Sequence, residues 1–214
     1  MNLKKIIFTA IFTLLLSTSF AQRHKLIFET PFGNFKVKLY DFTPRHRDLI
    51  LSSIKDSTYS TALFNRIIKN FVVQGGEHDA DIAKREENLQ YYEKKRLKAE
   101  FSTKAIHKIG ALGMGRDENP DKASFLNQIY FVVGKNVTLD DLKKIESKKG
   151  FKYSNSQVKQ YLKYGGLPRL DNDYTVFGEI YEGLDVILKI GNVQTDSLDY
   201  PLSPIPFTIR KINK

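Results

Sequence analysis

Apolar and polar positions alternate with a period of two near the start of the chain. The stretch KLIFET at 25–30 is followed by PFG and then by FKVKLY at 35–40, in which apolar residues alternate with lysines. A period of two is typical of a strand with one buried and one solvated face. Pro31 and Gly33 favour a turn between the two runs. The pattern therefore predicts an opening β-hairpin.

The period changes in DFTPRHRDLILSSI, residues 41–54. Thr43 suits the N-cap of a helix, and Pro44 suits the first helical position. Leu49 and Ile50 fall near one face, which predicts a helix of about three turns.

Two apolar runs in FNRIIKNFVVQGG, residues 64–76, predict two strands joined by a turn at Lys69 and Asn70. The first run holds Arg66, and the second ends in Gln74 and two glycines. A core strand avoids a lone guanidinium, because burying an unpaired charge is very costly. Arg66 is therefore either solvated or held in place for a function.

Apolar runs punctuated by glycine predict further strands and one more short core helix. About six to eight short strands, mostly linked as hairpins, favour an antiparallel barrel or sandwich over a parallel sheet. The additional strands are expected at 110–115, 127–135, 174–180 and 206–212, and the helix at 183–190.

Two insertions with a helical pattern interrupt the strands. Residues 77–101 are rich in Glu, Lys and Arg with opposite charges three to four positions apart, which is typical of a solvated helix. In the second insertion, 136–166, Thr138 with Asp141 forms a capping-box pattern. Ser154 or Asn155 can cap a following helix that stops at two glycines.

The first residues have the pattern of a secretory signal peptide. Lys4 and Lys5 precede an apolar run at 6–16, and small residues follow at Ser19 and Ala21. The run is short for a transmembrane helix, although an uncleaved anchor and a buried helix are the alternatives. We expect a signal peptide at 1–21 and a domain at 22–214 that is exported, periplasmic or secreted, and soluble after cleavage.

The formal net charge of +10 raises the question of a nucleic-acid partner. The lysines are scattered among glutamates, and no nucleic-acid motif is present, which favours a solvated basic surface. The four histidines lack metal-ligand spacing, and the chain holds no cysteine, no Gly-x-Ser-x-Gly and no phosphate loop. We expect no nucleic-acid partner, no metal and no organic cofactor.

Four ordered motifs, FNRIIKNFVVQGG, GALGMG, NQIYFVVGK and LDNDYTVFGEIYEGLDVILKI, resemble the cyclophilin family of peptidyl-prolyl isomerases. FNRII and FVVQGG are similar to Phe-His-Arg-Ile-Ile and Phe-Met-x-Gln-Gly-Gly of that family. GALGMG, NQIYFVVGK and LDNDYTVFGEIYEGLDVILKI are similar to its later motifs in the same order. The resemblance covers 25–76 and 104–214. It implies a mainly β fold, a closed antiparallel eight-stranded barrel capped by two helices, with helical insertions at about 77–101 and 136–166.

The resemblance also implies a role for each matching residue. Arg66 would donate to the prolyl nitrogen, and Gln74 would orient Arg66 and the substrate backbone. Such a donor needs no cofactor, because weakening the amide resonance is enough to lower the rotational barrier. The residues implied in substrate binding are Phe71, Val72, Tyr130 and Leu170 around the proline ring, Gln128 with the backbone of Gly115 and Arg116 along the flanking peptide, and Tyr174 at the rim.

Several positions depart from the family pattern. Asn65 replaces a frequent histidine, Val72 replaces a methionine, Arg116 replaces an asparagine and Arg169 replaces an aromatic residue. The charged insertion 77–101 stands where the family has a glycine-rich loop that edges the groove. We expect isomerase activity with altered peptide selectivity.

Three functions are weighed. The first is an exported peptidyl-prolyl cis-trans isomerase that helps exported proteins to fold. Its partners would be proline-containing peptides and unfolded client proteins. It would act as a monomer without stable membrane insertion. The second is a non-catalytic proline-binding or chaperone module of the same fold. The third is a basic interaction protein whose charged helices dock a partner. The retained Arg66 favours the first.

Overall fold

The computed structural model describes residues 24–212, so the predicted signal peptide at 1–21 lies outside the described residues. Within that range no helix has both the length and the apolar character needed to cross a bilayer. The strands are β1 Lys25–Thr30, β2 Gly33–Leu39, β3 Leu63–Ile68, β4 Val72–Gly76, β5 Ala111–Met114, β6 Gln128–Val132, β7 Val176–Glu182, β8 Ile205–Pro206 and β9 Thr208–Lys211. The helices are α1 Pro44–Lys55, α2 Asp79–Arg85, α3 Leu139–Lys149, α4 Asn155–Tyr164 and α5 Leu184–Ile190, with 3₁₀ turns at Tyr91–Glu93 and Pro168–Leu170.

All these strands join one antiparallel sheet in the order β8-β3-β4-β6-β5-β7-β2-β1-β9. The two outermost strands are neighbours in the chain, since only Phe207 separates β8 from β9. The sheet therefore closes into a barrel through one bent segment. The predicted barrel is confirmed, except that the expected last strand, 206–212, is split. Pro206 cannot donate to a ladder, and the backbone N–H of Phe207 turns away to the carbonyl of Ala62 (3.0 Å).

Aromatic rings fill the barrel interior. The rings of Phe28 and Phe35 stack at 4.9 Å between centroids, and Phe131 meets Phe28 edge-on at 5.1 Å. The first and last helices close the core, with Ile50 from α1 and Ile187 from α5 fully buried against it. The two predicted core helices are thus confirmed.

Helix α1 begins at the predicted position but is capped by an unexpected group. Thr43 occupies the N-cap, yet its hydroxyl donates to the carbonyl of Tyr40 (3.3 Å) instead of capping the helix. The carboxylate of Glu100 accepts from the backbone N–H groups of Arg45 (3.1 Å) and His46 (2.9 Å). The end of the first insertion therefore caps α1.

The second insertion contains the two predicted helices. Thr138 and Asp141 form a reciprocal capping box at the start of α3, and Ser154 forms one with Gln157 at the start of α4. Helix α4 ends at Gly165, as predicted.

The prediction for the first insertion is wrong beyond Arg85. Only α2 and one 3₁₀ turn are helical between 77 and 101. The side chain of Arg96 is only 7% exposed and pairs with Glu86 and Asp117, both at 2.6 Å. These charges serve a buried network between distant residues, so they are not available for pairing along a solvated helix.

Candidate active site

One row of residues crosses four strands on the outer face of the barrel. Arg66 on β3 lies opposite Gln74 on β4, Gln74 lies opposite Tyr130 on β6, and Tyr130 lies opposite Gly113 on β5. Directly opposed residues of an antiparallel sheet place their side chains on the same face. Their chain neighbours, such as Val73 on β4, point instead into the barrel core. The predicted donor and its predicted partner therefore share the outer face.

An apolar patch lies beside this row. Val72, Tyr130 and Leu170 are nearly buried in one hydrophobic cluster on the outer face, and Phe71 and Tyr174 pack against it. The ring of Tyr174 meets that of Tyr130 edge-on at 6.1 Å. Thus the four residues predicted to hold the proline ring, and the predicted rim residue, lie together.

Arg66 has an acidic neighbour that the sequence did not indicate. Its side chain is 34% exposed, and Nη2 lies 3.5 Å from Oδ2 of Asp199. The carbonyl of Asp199 also accepts from the backbone N–H of Ile67 (2.8 Å). Asp199 adopts a φ of 68°, which few residues other than glycine adopt. The loop that carries it is thereby tied to β3 beside the guanidinium.

Gln74 faces Arg66 without a hydrogen bond between the two side chains in the described part of the chain. The residue is only 6% exposed, and its Nε2 is buried with no partner within residues 24–212. An unmet buried donor costs about 1–3 kcal/mol. The described residues therefore show no orienting bond between Gln74 and Arg66, and the buried amide donor of Gln74 has no partner among them.

A buried chain of hydrogen bonds supports the patch from beneath. The Tyr130 hydroxyl lies 2.8 Å from Nε2 of His107, whose Nδ1 lies 2.6 Å from Oδ1 of Asp171. Oδ2 of Asp171 accepts from the hydroxyls of Tyr153 (2.8 Å) and Tyr161 (2.6 Å). This chain joins the second insertion to the floor of the apolar patch.

The chemistry of the partners places two hydrogens in this chain of hydrogen bonds. Burial raises the pKa of Tyr130 well above its usual range, so its phenol stays protonated and donates. A carboxylate can only accept, so Nδ1 of His107 carries the hydrogen that faces Asp171. We therefore place the Nδ1 hydrogen of His107 in the bond to Asp171, while its Nε2 faces the Tyr130 hydroxyl. Sequence reasoning tested His107 only as a metal ligand and missed this role.

Two arginine side chains stack on aromatic rings at the rim. The guanidinium carbon of Arg169 lies 4.4 Å from the ring centroid of Phe71, and that of Arg116 lies 4.6 Å from the centroid of Tyr174. Both distances are within the range of a cation–π contact. Arg116 and Arg169, two of the four departures from the family pattern, therefore lie at the edges of the apolar patch.

The end of the row nearest the first insertion is already engaged. Gln128 is 2% exposed, and its Nε2 donates to the carboxylate of Asp79 (2.6 Å) and to the carbonyl of Glu77 (3.2 Å). A Cβ on Gly115 would overlap Oε1 of Gln128, so the Gln128 side chain occupies space that a larger residue at 115 would take. The amide predicted to bind flanking peptide is held by the insertion in this structure.

A groove lies to one side of the apolar patch. It has a volume of about 660 Å³ and runs past Asn65 and Gly76, between Tyr59 and the stacked pair of His78 and Tyr200. Asn65, the departure next to Arg66, donates to the carbonyl of Gly76 (2.8 Å) at its wall. The groove therefore begins next to Arg66, at the opposite end of β4 from Val72.

Comparison with known proteins agrees with this architecture. A family model described as cyclophilin type peptidyl-prolyl cis-trans isomerase/CLD matches residues 25–213. A relative from Staphylococcus saprophyticus, whose name gives this activity provisionally, is 31% identical over 182 residues, covering 85% of this chain and 87% of its own. A peptidyl-prolyl cis-trans isomerase from Acinetobacter baylyi is 26% identical over 193 residues, covering 86% and 85%.

Solved structures show the same fold. A cyclophilin type peptidyl-prolyl cis-trans isomerase from Cryptosporidium parvum superposes with a TM-score of 0.63 at 17% identity, covering 89% of this chain and 98% of that one. Its structure in the presence of the dipeptide Ala-Pro gives a TM-score of 0.59 at 18% identity, covering 87% and 98%. With the match to the family model over 25–213, these findings establish that the chain belongs to the cyclophilin-type peptidyl-prolyl cis-trans isomerases.

Proposed function

We propose that the outer face bearing Arg66 and Gln74 is where this isomerase rotates X-Pro bonds. The observation that carries the proposal is the row of Arg66, Gln74 and Tyr130 running beside an apolar patch. The patch offers a surface for the proline ring, and the row offers hydrogen-bond donors for the peptide backbone. An apolar surface with a few convergent polar groups is the usual form of a substrate site.

Catalysis requires only a surface that holds the proline ring and a hydrogen-bond donor that faces the prolyl nitrogen. Rotation about an X-Pro bond faces a barrier of roughly 20 kcal/mol, because the nitrogen lone pair is delocalised into the carbonyl. As the bond twists, the nitrogen becomes pyramidal and can accept a hydrogen bond. The guanidinium of Arg66 is always charged and presents several N–H donors in a rigid plane. Its bond to the nitrogen is strongest in the twisted state and so lowers the barrier.

Two neighbours prepare Arg66 and the substrate for this step. The carboxylate of Asp199 limits the orientations of the guanidinium while leaving it one-third exposed. After a turn of the Gln74 side chain, its buried Nε2 would donate to a carbonyl of the bound peptide, which would supply the partner that this amide lacks. Val72, Phe71 and Leu170 would hold the proline ring against Tyr130.

We further propose that the enzyme acts outside the cytoplasm on folding or unfolded exported proteins. The basic, apolar and small-residue sequence of 1–21 supports removal of a signal peptide after Ala21. The mature chain would begin at residue 22. N-terminal sequencing of the protein recovered from culture would establish the cleavage point, and an intact Met1 would contradict it.

The test of the proposed activity is an exchange-NMR measurement of cis–trans interconversion in short X-Pro peptides. Residues 22–214 should accelerate the interconversion, whereas Arg66→Ala should lose most of the acceleration with an unchanged circular dichroism spectrum. Arg210→Gln removes an exposed guanidinium on β9 and serves as the matched control. No acceleration by the parent with any residue before proline would favour a non-catalytic proline-binding module.

A further inference from the structure

The positive charges around the apolar patch are unequally compensated. Arg66 faces Asp199 at 3.5 Å, whereas Arg116 and Arg169 have no carboxylate within ion-pair distance in the part of the chain that the structure describes. Arg116 donates instead to the backbone carbonyls of Asp173 and Asp117, both at 2.7 Å. Two guanidinium charges at the rim are thus left without a counter-charge.

Nearby carboxylates are committed to other cations. Asp117 pairs with Arg96 at 2.6 Å. Asp173 pairs with Lys122 and Lys149, also at 2.6 Å. Asp171, next in the chain to Leu170, is buried among hydroxyl and imidazole groups. Glu118 is exposed and takes part in none of these pairs. Arg116 and Arg169 are therefore left as positive charges without an ion-pair partner among the described residues, although the surrounding segments contain several acidic residues.

Contacts with aromatic rings restrict the guanidinium groups of Arg116 and Arg169 before a ligand binds. Arg169 lies over Phe71, and Arg116 lies over Tyr174, so each guanidinium contacts a ring that borders the patch. Within the described residues the N–H groups of the Arg169 guanidinium have no hydrogen-bond acceptor and match the two oxygens of a carboxylate, whereas Arg116 uses Nε and Nη1 for backbone carbonyls and keeps Nη2 for a ligand. The ordering that a flexible cation would undergo on binding is already partly complete.

We propose that this isomerase prefers X-Pro segments in which a residue flanking the proline carries a carboxylate, which Arg116 or Arg169 binds. This proposal rests on the function proposed above, since it assigns the substrate class of the same face. Glutamate or aspartate beside the proline would gain an ion pair at the rim, whereas lysine would meet a repulsive field.

The direct test compares three peptides that differ only in the residue directly before the proline, which is Glu, Gln or Lys. A second set places the same residues directly after the proline. Exchange NMR measures kcat/KM without a coupling protease, whose own preference would bias the comparison. We expect the Glu peptide of at least one set to exceed the Lys peptide by about tenfold, which is typical of one or two partly exposed charge-assisted contacts. The preference should shrink in about 0.5 M salt, which screens exposed charges.

Charge reversal assigns the preference to the rim. In Arg169→Glu, the Lys peptide of one set should have a higher kcat/KM than the Glu peptide. In Arg116→Gln, the ratio of kcat/KM between the Glu and Lys peptides should fall in at least one set. Arg210→Gln, which removes an equal charge from the far side of the barrel, should leave both preferences intact. Equal kcat/KM for the three peptides in both sets would overturn the proposal.

A binding measurement keeps the proposal separate from the catalytic one. Fluorescence anisotropy of labelled peptides reports affinity even if turnover is absent. Tighter binding of Glu than Lys peptides without catalysis would support the rim preference and contradict the proposed isomerase activity of the face. Catalysis with equal affinities and equal rates would contradict the rim preference alone.

Discussion

The two insertions reach the same face of the barrel by opposite means. Residues 136–166 form two capped helices that reach beneath the apolar patch with tyrosine hydroxyls. Residues 77–101 are mostly irregular and reach the other end of the face with charged side chains. The difference teaches that local caps determine the first structure, whereas ion pairs between distant residues determine the second.

The helical insertion holds the turn that carries Leu170. Nζ of Lys149, in the last turn of α3, donates to the carbonyls of Arg169 (2.7 Å) and Asp171 (2.6 Å). The hydroxyl of Tyr161, from α4, donates to the Asp171 carboxylate (2.6 Å). One wall of the proposed proline site is thus fixed by residues that the barrel itself does not supply.

The irregular insertion is anchored at both ends of its course. Near its start, Asp79 holds the amide of Gln128 (2.6 Å). At its end, Glu100 caps α1, and the backbone N–H of Glu100 donates to the hydroxyl of Thr175 (3.0 Å). It therefore borders the groove even though it contributes little regular structure.

The largest loss of stability is expected where the helical insertion meets the barrel. Asp171→Ala removes a buried acceptor and leaves the donors of His107 and Tyr161 without a partner, whereas the Tyr153 hydroxyl keeps the carbonyl of Pro168 (3.2 Å). We expect the free energy of unfolding, measured with urea, to fall by about 3–5 kcal/mol. The exposed Asp185→Ala on α5 is the control, and its unfolding midpoint should match the parent. A similar midpoint for both variants would show that the buried chain does not stabilise the fold.

Removal of the central arginine of the irregular insertion should lower the free energy of unfolding by less than Asp171→Ala does. Arg96→Ala leaves Glu86 and Asp117 without their shared partner, but the Asp117 side chain is one-third exposed and can be hydrated. We expect a loss of about 2 kcal/mol in the free energy of unfolding at pH 7. Arg85→Ala is the matched control, because its guanidinium in the same network is half exposed and should matter little.

The stability lost in Arg96→Ala should depend on pH in a direction that the structure determines. The hydrogen bond from Arg96 lowers the pKa of Glu86 below its ordinary value of 4.5. A depressed carboxyl pKa stabilises the fold above the ordinary value, and this stabilisation is lost as the pH falls below it. The difference between parent and Arg96→Ala should therefore shrink between pH 7 and about pH 3.5. A constant difference across that range would contradict the assigned pairing.

The smallest expected effect concerns the groove end held by Asp79. Asp79→Ala should free the amide of Gln128 to donate to bound peptide and so lower KM by about threefold, the size of one net hydrogen bond, with kcat unchanged. Glu87→Ala, which removes an exposed carboxylate of the same insertion that does not line the groove, is the control. An unchanged KM in Asp79→Ala would mean that Gln128 does not contact the substrate.

Local signals made much of the fold predictable. The strand at 25–30 has the expected bounds, and the capping residues Thr138 and Ser154 begin the two helices of the second insertion. The turn at Lys69 and Asn70 is confirmed, with a φ of 60° at Asn70. That hairpin is what places Arg66 opposite Gln74, so short-range pattern was sufficient for the centre of the candidate site.

What the sequence missed depends on contacts between distant residues. His107 lies 23 positions from Tyr130 and 64 from Asp171, and no local pattern joins them. The pairing of Asp199 with Arg66 requires the closed barrel, because the loop before β8 must return to β3. The burial of Arg96 was missed because its neighbours along the chain have the composition of a solvated helix.

The most direct test of the proposed catalytic role separates peptide binding from bond rotation at Arg66. Arg66→Lys keeps the charge but loses the planar set of donors, and NMR can measure its peptide affinity and its catalysed exchange rate in one sample. We expect the dissociation constant to stay within about twofold, while the rate falls by about 10²-fold, as for loss of one transition-state donor. An unchanged rate, or equal losses in affinity and rate, would contradict a role for the guanidinium in the twisted state.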